Sequence, residues 1–192
     1  TTEAMPKEMG QKDKAMANIV LLISETYLKQ GTVLNENADI KVIEPNIKLA
    51  QDLYIHTTLG TDLYNEINGQ VSSGTLTAAN STLLTDWLKP CLKHYVLYEL
   101  GRDLLYKWMN KGIVTKSSDN SQPVDYTVLN KIRAEYKDIA EWYRENMIKY
   151  ICVHESDYPA YSTNDTSDKL FPRKNGYTSP IYLKGNKNSY CE

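Results

Sequence analysis

Between Leu129 and Tyr150 the apolar residues Leu129, Ile132, Tyr136, Ile139, Tyr143, Met147 and Tyr150 recur at steps of three and four. Only an α-helix brings residues so spaced onto one face, and a stripe of this length needs a long partner to cover it. The stretch therefore predicts a helix that begins near Pro123 and a second helix lying against it. The partner is the pattern from Asn80 to about Asn110, where Trp87, Leu88, Cys91, Leu92, Tyr95, Val96, Leu100, Leu104, Leu105 and Trp108 leave few polar positions on any side. A helix apolar nearly all round is buried by several neighbours, and Gly112 stands where a helix C-terminus is commonly stopped.

One polar loop, Lys111 to Gln122, joins the two, so an antiparallel hairpin is the simplest arrangement. In this reading Leu129, Ile132, Tyr136, Ile139 and Tyr143 pack on the Trp87 to Trp108 helix, with Ile132 in the core. Lys131 with Glu135, and Glu145 with Lys149, stand four apart on other, solvated faces. Pro90 either kinks the central helix or marks the start of its main part. A further stripe of Ile40, Ile43, Ile47, Ala50 and Tyr54 predicts a helix packed across the hairpin, with Asn37 or Asp39 as cap and Gly60 as stop.

The expected fold class is all-α, a helix bundle built on a long antiparallel hairpin with an extended C-terminal arm. A chain of 192 residues suits one domain. Its expected parts are an N-terminal arm over 1–18, a helical bundle over 19–154 and an extended tyrosine-rich arm over 155–192. Past Glu155 helical spacing disappears among Pro, Asn and Ser, yet aromatics persist, and chains with no fold to join are depleted in these.

The chain has 15 Tyr and a single Phe. A tyrosine buries a large ring and keeps a hydroxyl for water or a partner, which suits surfaces covered on assembly. The helical Tyr95, Tyr136, Tyr143 and Tyr150 read as core residues with their hydroxyls at the bundle rim. In the arm, Tyr158, Tyr161, Phe171, Tyr177 and Tyr182 read as protein-binding anchors. Arg173 and Lys174, with Lys169 nearby, would face an acidic partner surface, with DNA phosphate as the alternative that the nearby acids disfavour.

Several function classes are excluded or unsupported. A hydrophobic content of 41% with 24% charged residues rules out a wholly disordered chain. The net charge of −2, from 22 basic and 24 acidic residues, gives no field for gripping nucleic acid. The longest apolar run, Ile19 to Ile23, is far short of the roughly 20 residues of a membrane span. Cys91, Cys152 and Cys191 form no C-x-x-C pair and are expected as free thiols in a reducing compartment, while His56, His94 and His154 are isolated. Hydrolase, phosphate-loop and dinucleotide signatures are missing, so the expectation is a non-enzyme with no cofactor and no metal.

The order of segments resembles the head-tail connector (adaptor, or head-completion) proteins of tailed bacteriophages, most of all ring proteins of phages that infect Bacteroides-like gut bacteria. The residues that carry it are Leu28 to Gly31, Thr58-Leu59-Gly60-Thr61-Asp62-Leu63-Tyr64, Leu83-Leu84 and Trp87-Leu88-Lys89-Pro90. Tyr95 to Leu100, the Asn110 to Thr115 loop and Ala140-Glu141-Trp142-Tyr143 complete it, over about residues 20 to 153. These are packing and turn patterns that contain no chemistry.

The resemblance implies a structural virion protein, commonly a dodecameric ring between portal and tail, with DNA passing through its lumen as cargo. The implied partners are other copies of the chain, the portal protein and further tail or ring proteins, with no membrane. Assembly would take place in the host cytoplasm and the final location would be the head-tail interface. The alternative is a non-viral cytosolic helical adaptor that binds one protein partner, and a small helical enzyme is third.

Overall fold

A computed structural model of the chain describes residues 19–109, 112–115, 125–163 and 170–172. The expected N-terminal arm lies outside the described residues. The fold is all-α. Helix α1 (Glu25–Gly31) is followed by α2 (Ile40–Ala50), which continues through π-helical turns (Gln51–His56) into α3 (Thr57–Leu59). Helix α4 (Thr61–Ser73) precedes α5 (Ala78–Thr82), which passes through a second π-helical stretch (Leu83–Leu88) into α6 (Lys89–Leu105). Strands β1 (Tyr106–Met109) and β2 (Gly112–Thr115) pair antiparallel, with Met109 opposite Gly112. Helix α7 (Tyr126–Val153), a 3-10 turn (Glu155–Asp157) and α8 (Pro159–Thr163) follow.

Local sequence explains most of these boundaries. The carboxylates of Asp39 and Asp125 accept from Lys41 N–H and Thr127 N–H, which satisfies donors that the first turns of α2 and α7 leave free. The hydroxyl of Thr77 does the same for α5, so the cap lies three residues before Asn80, where the apolar pattern begins. Gly60 separates α3 from α4 at φ 75°, a backbone angle that a side chain would strain. Pro90 stands just after the π-helical turns, where the hydrogen-bond register changes. Its missing N–H therefore falls at a break in the ladder and the helix runs on.

Two expectations about the hairpin need correction. The helix predicted to reach Asn110 ends at Leu105, and Trp108 lies in β1, where Tyr106 and Trp108 suit a strand better than a helix end. Gly112 opens β2 and caps no helix. The phase of α7 is the second. Ile132 and Ile139 are 41% and 42% exposed, while the buried positions of α7 are Ala140, Met147 and Ile151. The inner stripe is Leu129, Arg133, Tyr136, Ala140, Tyr143, Met147 and Tyr150, partly or fully buried at the same three- and four-residue steps.

Close approach between α6 and α7 sets that phase. Cys91 Sγ lies 3.4 Å from Ala140 O, and a Cβ added at Gly101 would meet Arg133 Cγ at 3.3 Å. Arg133 lays its stem over Gly101, stacks its guanidinium 4.5 Å from the Tyr98 ring centre and donates to Tyr98 O at 2.8 Å. The pairs Cys91 with Ala140 and Gly101 with Arg133 run in opposite senses along the two helices, so the hairpin is antiparallel.

Helix α2 packs on another side of α6. The rings of Tyr54 and Tyr95 stack at 3.9 Å, Tyr54 Oη donates to Glu99 Oε1 at 2.6 Å, and Asn46 Nδ2 donates to Asp103 Oδ2 at 2.9 Å. Buried Ile43, Ile47, Ile55, Leu59, Leu63, Leu88, Leu92 and Val96 fill the space between. Leu22 and Ile23, ahead of α1, join this core because Gln51, fully buried, holds them. Its Oε1 accepts from Leu22 N–H at 2.9 Å and its Nε2 donates to Val20 O at 3.1 Å.

The phase of α7 is testable by paired truncations. Met147→Ala should lower stability by about 2–5 kcal/mol, because it opens a cavity at a fully buried site. Ile132→Ala should change it by about 0.5 kcal/mol or little more, as for surface positions. Equal losses in chemical denaturation would show that α7 is rotated the other way.

Candidate assembly surface

The outward side of α7 carries a row of exposed apolar side chains. Val128, Ile132, Ile139, Trp142 and Val153 are exposed, and with Glu135, Asn146 and Lys149 they form a second unbroken series of four- and three-residue steps. This series lies roughly a third of a turn around the helix from the inner one. Trp142 is 58% exposed, although its ring meets Tyr143 edge-on at 5.0 Å. Large apolar side chains in an ordered row on one face are the usual mark of a protein contact.

Beneath this ridge the α6–α7 seam is aromatic. His94 lies between Tyr136 and Tyr143, with ring centres 6.2 and 5.8 Å away. Burial, and then the charge of Lys93, hold its pKa below the ordinary value, and its Nδ1 is buried without a hydrogen-bond partner among the described residues. Cys91 is fully buried, which pushes its thiol pKa up and leaves it a poor nucleophile. The Tyr54 hydroxyl titrates above its ordinary range, first through burial and then through its bond to Glu99. His94 and Cys91 thus face α7 across the seam, while Tyr54 ties the π-helical turns after α2 to α6.

A second apolar feature lies on α2, on the side turned away from α6. Ile19, Leu21, Pro45 and Leu49 line a shallow groove of about 710 Å³, rimmed by Lys41, Glu44, Lys48 and Asp52. Lys48 and Asp52 pair with each other along the helix. Among the described residues, no group of three His, Cys, Asp or Glu is placed to hold a metal ion, and no helix is long and apolar enough to cross a membrane.

The arm residues do not form one site. Tyr158 and Tyr161, expected as anchors on another molecule, are each 1% exposed inside the subunit's own core. Tyr158 Oη donates to Ala79 O at 2.8 Å and its ring lies 6.2 Å from that of Tyr150. The subunit therefore continues past residue 154. After α8, Thr61 N–H donates to Leu170 O at 3.3 Å and Pro172 is buried. Phe171 is 45% exposed and remains a surface aromatic. Arg173, Lys174, Tyr177 and Tyr182 lie outside the described residues. The α7 ridge is hidden in the sequence because the inner and outer stripes are both apolar and lie one residue apart, so Ile132 and Ile139 fit the same three- and four-residue steps as the inner residues.

The class defined by this fold is an all-α domain centred on an antiparallel hairpin, with an uncovered apolar ridge. The chain belongs to a family of unknown function, DUF6712, which matches residues 55–169. The match takes in the hairpin and also Tyr158 and Tyr161. No curated protein and no solved structure matches the chain.

Two measurements check this account. Tyr158→Ala and Tyr161→Ala should each cost about 3–5 kcal/mol, and a chain cut after Val153 should lose cooperative thermal unfolding. A cut protein with an unchanged melting curve would return both tyrosines to the arm. Separately, the fold favours neutral His94, so the folded form binds fewer protons than the unfolded form just below pH 6.5. Its contribution is complete above that pH and declines as pH falls through it. The melting temperature should drop between pH 7.5 and 5.5, and less so in His94→Phe; identical slopes would show that His94 is not the group responsible.

Proposed function

We propose that the protein is a non-enzymatic structural subunit of a phage virion, a connector ring between portal and tail through whose lumen DNA passes. The observation that carries this reading is the α7 ridge. A helix whose inner stripe is already covered by α6, and whose second stripe of Ile132, Ile139 and Trp142 is exposed, is suited to contact between subunits. The order of packing and turn motifs supports the same reading. Copies of the chain cover one another's ridges, and the portal protein and other tail or ring proteins bind the two ends of the ring. The rival, a cytosolic adaptor serving one partner, would use the ridge once.

Averaged electron-microscopy density from particles should place several touching copies at one vertex, between head and tail. Particles without the chain, or with one isolated copy, would reject the connector in favour of the adaptor.

A further inference from the structure

Charge is not spread evenly over the molecule. Residues 49–88 and 150–163 contain no lysine and no arginine, and they meet in space as α4, α5, the second π-helical stretch, the 3-10 turn and α8. Tyr158 Oη on Ala79 O joins the 3-10 turn to α5, α8 packs on α4, and the Trp87 ring lies 5.8 Å from that of Tyr150. The end so formed carries Asp62, Glu66, Asp86, Glu155 and Asp157, and all but Asp62 are exposed. At its border Asp52 is already paired with Lys48, and Lys89 lies over the Tyr27 ring of α1. Elsewhere the signs alternate, as in Lys41, Glu44 and Lys48 on α2 and Lys131, Glu135, Lys137 and Asp138 on α7.

This end is short of donors as well as of positive charge. Asn80, 1% exposed, gives its Nδ2 to Glu66 Oε1 at 2.8 Å and Gln70 Oε1 at 2.9 Å. Its Oδ1, like that of Asn68, is buried without a hydrogen-bond partner among the described residues. The chain also leaves the described residues here. Thr61 N–H, at the start of α4, donates to Leu170 O, and Pro172 is buried. Directly after it, residues 173–187 carry Arg173, Lys174, Lys184 and Lys187 and no acid.

We infer that this acidic end is the docking surface for the basic segment 173–187 of the same copy. Arg173 and Lys174 follow Pro172 beside the first turns of α4, which hold Asp62 and Glu66. Fifteen residues at roughly 3.3 Å each outreach the roughly 20 Å of α4, so Lys184 and Lys187 can meet Asp86, Glu155 and Asp157. Single exposed ion pairs contribute little, and the contact depends on several made together by a segment whose tether keeps its local concentration high. The acidic surface that Arg173 and Lys174 call for is then part of the subunit itself. The inference does not depend on the connector reading.

The test uses the full chain, mixed in equal parts with an isotopically labelled copy, carbodiimide coupling of lysines to carboxylates, and mass spectrometry. Lys174, Lys184 and Lys187 should couple to the acids of this end within one copy, and raised salt should lower the yield. Independently, trypsin should cut after Lys184 and Lys187 about fivefold faster in Asp86→Asn/Glu155→Gln/Asp157→Asn than in the wild type. The three positions are exposed, so circular dichroism should not change. Neutralising Glu36, Glu44 and Glu135, exposed on other surfaces, should leave the cutting rate as it was. Equal rates in all three proteins would overturn the proposal, as would tail lysines that couple mainly to acids of α2 and α7. Coupling only between labelled and unlabelled copies would give the surface to a neighbour's segment and overturn the assignment to one copy. Tail lysines shielded by added duplex DNA, and cut equally fast in its absence whether or not the acids are present, would give the segment to nucleic acid and overturn it too.

Discussion

The fold depends on how closely α6 and α7 approach at Ala140 and Gly101. A side chain larger than a methyl group at 140 would push the helices apart beside Cys91, and any side chain at 101 would press on Arg133. Interiors are packed too densely to absorb such changes freely, so the small residues select the rotational setting of α7. Everything outward follows from that setting. With Arg133 and Ala140 inside, Ile132 and Ile139 are left on the surface, and the ridge exists because the seam is narrow.

Arg133 shows why this was hard to foresee. A pattern search that favours large aliphatic residues takes Ile132 and Ile139 for the core and passes over an arginine and an alanine. In the protein the arginine contributes its methylene stem and satisfies its head on Tyr98 O and the Tyr98 ring, while the alanine contributes contact distance. Binary patterning reports how apolar a face is. It does not report how close a partner can come.

Other elements were legible for clear reasons. Helix α2 announces itself through Ile43, Ile47 and Ala50 on one side with charges on the other, and Asp39 and Gly60 are local devices with local consequences. The tail shows no period in sequence because its structure is carried by units too short for one. A 3-10 turn and a five-residue helix present two tyrosines to the core, and no window long enough to detect helicity contains them both in a stripe. Strand β1 is indistinguishable in sequence from the last turn of a helix, since four residues cannot separate the two periods.

Gln51 is likewise a single side chain with reach beyond its own position. By accepting from Leu22 N–H and donating to Val20 O it substitutes for a neighbouring strand, and holds in place a segment that belongs to no helix. That segment supplies Ile19 and Leu21, one wall of the α2 groove, so the shape of an outer surface is governed by an amide with no exposure to solvent. Binding specificity could then drift through substitutions at a position that no partner ever touches. Surface residues would stay unchanged while the wall they stand on moved.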